Sequence, residues 1–150
     1  MADKTVARNR KANHDFFLQE KYEAGLVLQG SEIKSIRAGQ VSLKEAYVRT
    51  DGRQAWLVNA HIAPYNPASA ENHNPIRERK LLLHSKEIAE LQDEVKRGGN
   101  TIVPIQIYFK KGRAKLEIAV ARGKKKWDKR EDIAKRDAER DIARAMKGRG

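Results

Sequence analysis

A mainly β fold with one core helix and a separate basic tail is predicted by three observations. Apolar residues recur with period two in segments bounded by turn dipeptides, one segment switches to helical spacing, and the charge balance shifts after Arg122. The 150 residues, 39% hydrophobic and 35% charged, suffice for one modest domain with a solvated extension and would starve two separate cores.

Residues 1–13 are polar and basic without periodicity, which predicts a mobile basic arm, and the folded domain is expected over 14–121. "DFFLQ" offers a first strand. The segment "LQGSEIKSIR" alternates Leu28, Ile33 and Ile36 with polar residues, so the first strand region is expected to be long and kinked near Gly25 and Gly30. Asp51-Gly52 between Tyr47/Val48 and Trp56/Val58 marks a hairpin. Residues 64–78, with three prolines and three asparagines before Ile76, predict a surface loop, and "RKLLLH" reads as a short buried strand.

Ile88, Leu91 and Val95 then fall at i, i+3 and i+7, with Ser85 as the expected cap and Gly98-Gly99 as the stop, which predicts the core helix. Val103, Ile105, Ile107 and Phe109 return to period two, matched by Leu116, Ile118 and Val120 across "KKGR", with Pro104 implying an edge or bulge. Strands, a helix and a final hairpin in a chain of this size fit an OB-type Greek-key β-barrel; an α+β two-layer sheet is the alternative.

Residues 122–150 hold twelve Lys/Arg against six Asp/Glu, a balance of +6. Ala134, Ala138, Ile142, Ala145 and Met146 follow helical spacing, but one branched apolar residue is too little to dock this stripe on a core. The tail is therefore expected to be disordered when free and helical when a partner holds it.

The whole chain carries 32 Lys+Arg and 20 Asp+Glu, a formal charge of +12, with a pI near 10.0. Such a balance favours a polyanionic partner. Without cysteine there is no thiolate nucleophile or Cys-type zinc site, and the four histidines lack close ligand spacing, so no metal or other cofactor is expected. The N-terminus has no apolar signal segment, and no apolar run approaches the roughly 18 residues that span a bilayer. A cytoplasmic protein with no membrane partner is expected.

His14-Asp15 and His61 are the only general-base candidates, and neither has a neighbouring nucleophile motif or phosphate-binding glycine loop. His73 and His84 read as ordinary histidines. The basic residues give the stronger case. Arg113 and Lys115 alternate with inward Leu116 and Ile118, Lys110, Lys111 and Arg122 extend their face, and "NRK" and "RERK" add charge, Lys80 included. The same residues would also simply solubilise a strand face. Glu23 and Glu32 have two readings: acceptors for the exocyclic amines of unpaired bases, or partners in salt bridges and caps. In "GKKKWDKR", Trp127 lies among Lys124, Lys125, Lys126, Lys129 and Arg130. A flat ring flanked by cations suits stacking on an RNA base, while folding back onto the barrel remains its rival.

The blocks "NRKANHDFF", "YEAGLVLQGSEIKSIRAGQVSL", "AYV", "RKLLLH" followed by "EI", and "VARGKKKWDKREDIAKRD" together resemble the SsrA-binding protein (SmpB, small protein B) family of bacteria over nearly the whole chain. The resemblance implies an OB-barrel partner of transfer-messenger RNA (tmRNA) that enters stalled ribosomes with it, starts trans-translation and catalyses nothing itself. It implies that Asn9, Glu23, Leu82 and Lys115 grip the tRNA-like domain of tmRNA; Lys80 and Arg113 are added here from charge and strand face. It also implies that Gly123, Lys124, Lys125, Lys126, Trp127, Asp128, Lys129 and Arg130 lie near the decoding centre, against small-subunit rRNA, with the following residues in the empty mRNA path. The chain is expected to act as a monomer. A general OB-fold ribosomal or translation-factor protein, a basic architectural DNA-binding protein and a small RNase are the alternatives.

Overall fold

The computed structural model describes residues 4–65 and 72–124. The elements run β1 (Lys4–Arg8), α1 (Lys11–Asp15), β2 (Phe16–Leu26), α2 (Gly30–Arg37), β3 (Val41–Ser42), β4 (Tyr47–Thr50), β5 (Ala55–Val58), β6 (His61–Ile62), β7 (Arg79–Leu82), α3 (Ser85–Lys96), β8 (Asn100–Lys110) and β9 (Arg113–Gly123). Seven strands form an antiparallel sheet in the order β1-β8-β9-β2-β7-β5-β4, and β3 pairs with β6 as a small ribbon. Strand β4 at one end packs back against β8, so the sheet curls into the expected OB-type barrel.

The arm expected over 1–13 is corrected from residue 4 onward. Lys4–Arg8 pairs with the outer edge of β8, Val6 packs on the main core, and the Thr5 hydroxyl donates to Gln106 Oε1 at 3.0 Å. An unpaired β8 edge would leave a row of backbone groups exposed, and this short strand covers part of it. The barrel likewise extends past residue 121, since β9 ends at Gly123.

The second correction is α2. The alternation of Leu28, Ile33 and Ile36 suggested strand, but Gln29 and Glu32 form a reciprocal capping box that starts a helix, and its face buries Ile36. The remaining strand, β2, is continuous over eleven residues, kinked by a bulge between Leu18 and Lys21.

Helix α3 runs where expected, capped by His84 with Glu87 in the reciprocal role, one residue before the predicted Ser85. Ile88 and Leu91 are buried, each worth about 1.5–3 kcal/mol, while Val95 is exposed. Gly98 and Gly99 end the helix with φ of +80° and +74°. The Asp51-Gly52 hairpin forms, with the Asp51 carboxylate accepting from the N–H groups of Arg53 and Gln54 at 2.9 and 2.7 Å.

Pro104 sits at a bulge, and the extra residue changes which face β8 buries. Ile102 and Ile107 enter the main core with Leu116, Ile118 and Val120, whereas Val103 and Ile105 pack with Ala12 and Ala121 in a second cluster. The single apolar face expected for residues 103–109 is thus split in two.

Candidate nucleic-acid interface

Four strands bring the candidate residues into one row. Tyr108 on β8 is the register partner of Lys115 on β9, Lys115 of Gly25 on β2, and Gly25 of Leu82 on β7. Gly25 is needed for this approach, because a Cβ there would meet Leu82 Cβ at 3.2 Å. Strand β7 alternates its burial, with Arg79 and Leu81 inward and Lys80 and Leu82 outward. The buried strand expected for "RKLLLH" is therefore half exposed, and Leu82 leaves 55% of its surface open.

A groove of about 500 Å³ runs beside this row, lined by Glu23, Arg53, Lys80, Leu82, Glu87 and Lys115 among others. Four expected residues, Glu23, Lys80, Leu82 and Lys115, meet there. Arg113, exposed beside the β8–β9 turn, lines an adjoining apolar pocket with Leu82 and Lys115. Arg53, placed by the Asp51-Gly52 turn, is a groove cation that sequence reasoning missed; its position directly after that turn dipeptide was the available signal.

Glu23 is exposed, and its Oε2 is already engaged. Tyr108 donates its hydroxyl hydrogen to that oxygen, and Lys110 Nζ stands 3.5 Å from it. The Tyr108 bond first, then Lys110 and Lys115, hold the carboxyl below the usual range against a smaller cost of desolvation. The result is a fixed, ionised acceptor in a cationic groove.

Glu32 has no such role. It is fully buried, accepting from Arg77 at 2.5 Å and from Arg79 Nε at 2.6 Å, while the Gln29 N–H donates to it at 2.8 Å. Burial opposes its ionisation, but the bonds from Arg77, Gln29 and Arg79 outweigh that cost and its pKa is lowered. Arg79, equally buried, also bonds the Ala60 carbonyl at 2.7 Å, so the cluster ties α2 to β7 and to the connection between β5 and β6.

Asn9 stands apart from the groove. Its N–H donates to the Ile105 carbonyl at 2.7 Å and its Nδ2 to the Pro104 carbonyl at 3.0 Å, and the residue is buried against the β8 bulge. His73 is an ordinary structural histidine, buried and bridging Ser31 Oγ and the Ile62 carbonyl at 2.8 Å each. His14 Nδ1 does meet Asp15 Oδ1 at 2.9 Å, both at the surface. Among the described residues no three His, Asp or Glu side chains are grouped to hold a metal. No described helix is long and apolar enough to cross a membrane.

The head of the basic block begins on the barrel. Gly123 closes β9 opposite Phe16, the Lys124 N–H donates to the Asp15 carbonyl at 2.8 Å, and its Nζ reaches the Asn13 carbonyl at 3.1 Å. Lys124 and Arg122 both stand 5.0 Å from the Phe17 ring centre. Lys125, Lys126, Trp127, Asp128, Lys129, Arg130 and the predicted helix beyond them lie outside the described residues, as do residues 66–71 of the loop.

Comparison with known proteins matches these features to one family. The family model described as SmpB protein matches residues 6–148. The SsrA-binding protein of a Roseiflexus species is 57% identical over 148 residues, covering 98% of this chain and 94% of the relative. That of Desulforudis audaxviator is 52% identical over 147 residues, covering 98% and 96%. A solved structure described as "tmRNA-SmpB: a journey to the center of the bacterial ribosome" superposes with a TM-score of 0.69 at 42% identity, over 85% of this chain and 93% of the other. A match of this length, carried through both the barrel and the basic block after it, shows that the chain belongs to the SmpB protein family.

Proposed function

We propose that this protein binds tmRNA and acts with it on stalled ribosomes in trans-translation. The observation that carries the reading is the groove in which Glu23, Lys80, Leu82 and Lys115 converge, in a chain whose relatives are SsrA-binding proteins. Lys80, Lys115 and Arg53 neutralise phosphates of the tRNA-like domain, with Arg113 beside them. Glu23 accepts from an exocyclic base amine and Leu82 packs on an unstacked base, contacts that phosphates alone cannot supply. Asn9, in a separate cavity lined by Arg8, Arg10, Lys11 and Lys44, contacts the same RNA domain apart from the groove. The chemistry is recognition: the protein makes and breaks no covalent bond, uses no cofactor and works in the cytoplasm, where ribosomes are.

Residues 123–150 supply the second activity, contact with the decoding region and the vacant mRNA path. Lys115 and Gly123 lie eight positions apart on β9, so groove and tail root are separated by about 26 Å along one strand. RNA grip and ribosome contact are thereby kept on different ends of the barrel. A chain ending at Lys124 tests this: it should bind the isolated tRNA-like RNA as the full chain does and fail to support peptide tagging on stalled ribosomes. Loss of all RNA affinity in that truncation overturns the division of labour. Cleavage of labelled RNA by the purified full chain would overturn the nonenzymatic reading.

A further inference from the structure

The chain's exit from β9 is held by α1 as well as by the sheet. Ala12 seats this helix by packing with Val103 and Ala121 in the second cluster, and the last turn of a helix leaves carbonyls without partners of its own. Lys124 meets two of them: its N–H donates to the Asp15 carbonyl at 2.8 Å and its Nζ to the Asn13 carbonyl at 3.1 Å. A lysine 111 positions from Asn13 thus closes the C-terminal end of α1.

Phe17 completes the seat. It is the register partner of Arg122, and its ring centre lies 5.0 Å from both the Arg122 guanidinium and Lys124 Nζ. Two cations gathered on one ring repel each other, and the electron-rich ring together with the helix carbonyls offsets that repulsion. Between them, Gly123 contributes no side-chain contact and has open space around it. The contacts that set the chain's course beyond β9 therefore fall on Lys124.

From this we propose that Phe17 is a positioning residue for the tail: by holding Arg122 and Lys124 on its ring, it sets the direction in which the chain leaves the barrel after Lys124. The inference rests on the reading of residues 123–150 as the ribosome-contacting segment, and it gives α1 and Phe17 a role that the groove does not use. A segment launched in one direction meets its binding path at a higher effective concentration than one that swings about a glycine. Leucine would fill much of the same space without attracting either cation.

The test uses the full chain. Proton NMR of the unaltered protein should show the Lys124 Cε methylene protons shifted upfield by the Phe17 ring. In Phe17→Leu that shift should vanish and tagging on stalled ribosomes should fall about tenfold, with affinity for the tRNA-like RNA and the melting transition unchanged. Phe17→Tyr, which keeps the ring, should retain both the shift and the tagging, an outcome that space-filling alone would not produce. Phe17→Met, measured beside the leucine variant, keeps the comparison intact if that variant melts early. Unshifted Lys124 protons in the unaltered chain overturn the proposal. So does full tagging by a leucine variant that has lost the shift, or an equal loss of RNA affinity and tagging. Absence of tagging by the unaltered chain, with tmRNA and stalled ribosomes present, overturns the underlying reading instead, whatever the Lys124 protons show.

Discussion

Tyr108 donates its hydroxyl hydrogen to Glu23 across the intervening strand β9, so two residues separated by 85 positions in sequence set the charge state of the groove's acceptor. Lys110 shares the same carboxylate oxygen. The bond both orients Glu23 and keeps it ionised.

Tyr108→Phe should therefore weaken binding of the tRNA-like RNA several-fold at neutral pH with little change in melting temperature. Glu23 has a folded pKa below its ordinary value, so its acceptor function persists as pH falls and is lost only as pH passes through that lowered value. Without the Tyr108 donor the value rises toward the ordinary carboxylate near 4.3, and binding should fail at a higher pH than in the wild type. Affinity measured across the acidic range checks both points; identical pH profiles would show that Tyr108 does not position Glu23.

Charge and apolar contacts in the groove should separate by their salt response. Lys80→Ala and Lys115→Ala should each reduce the steepness of log affinity against log salt by about one phosphate's worth. Leu82→Ala should lower affinity with the slope unchanged, because no counterion is released at that contact. Filter binding at several salt concentrations would distinguish the two classes, and a Leu82 variant with an altered slope would contradict its assignment.

Glu32→Ala should destabilise the fold by about 3–5 kcal/mol, since it leaves Arg79 buried without its anionic partner. Glu32 also has a lowered pKa, so its contribution is complete above the unfolded carboxylate range and disappears as pH falls through the folded value. Acid should thus loosen the α2–β7 junction in the wild type, and the variant should have lost that part of the pH dependence. Thermal melts at neutral and acidic pH measure it.

Trp127→Ala should impair tagging on stalled ribosomes while leaving affinity for free tRNA-like RNA near normal, and Trp127→Tyr or Trp127→His should do less harm. Tagging and binding assays on the three variants decide the matter; equal damage from all three would exclude stacking as the reason for the ring.

The barrel was legible where local patterning and tertiary packing agree. Asp51-Gly52, the Ile88/Leu91 spacing and the two halves of the β8–β9 hairpin each carry their own signal. Strand β1 was not legible, because its partner lies about a hundred residues away and nothing within Lys4–Arg8 announces it. Helix α2 was misread because Ile33 and Ile36 were weighed as alternation while the Gln29/Glu32 box three residues apart went unused. Around the groove, charge and strand parity located Lys80, Arg113 and Lys115, Glu23 stood out as an acidic residue in a basic chain, and the family resemblance supplied Leu82. None of these could reveal that Tyr108 holds Glu23, or that Asn9 turns inward to the Pro104 carbonyl, since both depend on contacts between distant strands.

Strand β9 carries no extra residue along its length, while the bulges fall on its two neighbours, β2 at Leu18–Lys21 and β8 at Pro104–Gln106. The neighbours bend around a spar that stays in register and is hydrogen-bonded on both edges. Lys115 rides near one end of that spar and Gly123 forms the other, so the reach from the groove to the end of the barrel is written as a count of residues in one strand. Inserting two residues would lengthen it by about 7 Å while keeping every side chain on its own face. On the proposed reading the barrel is thus a gauge as well as a grip: it fixes how far from the RNA the residues after β9 begin.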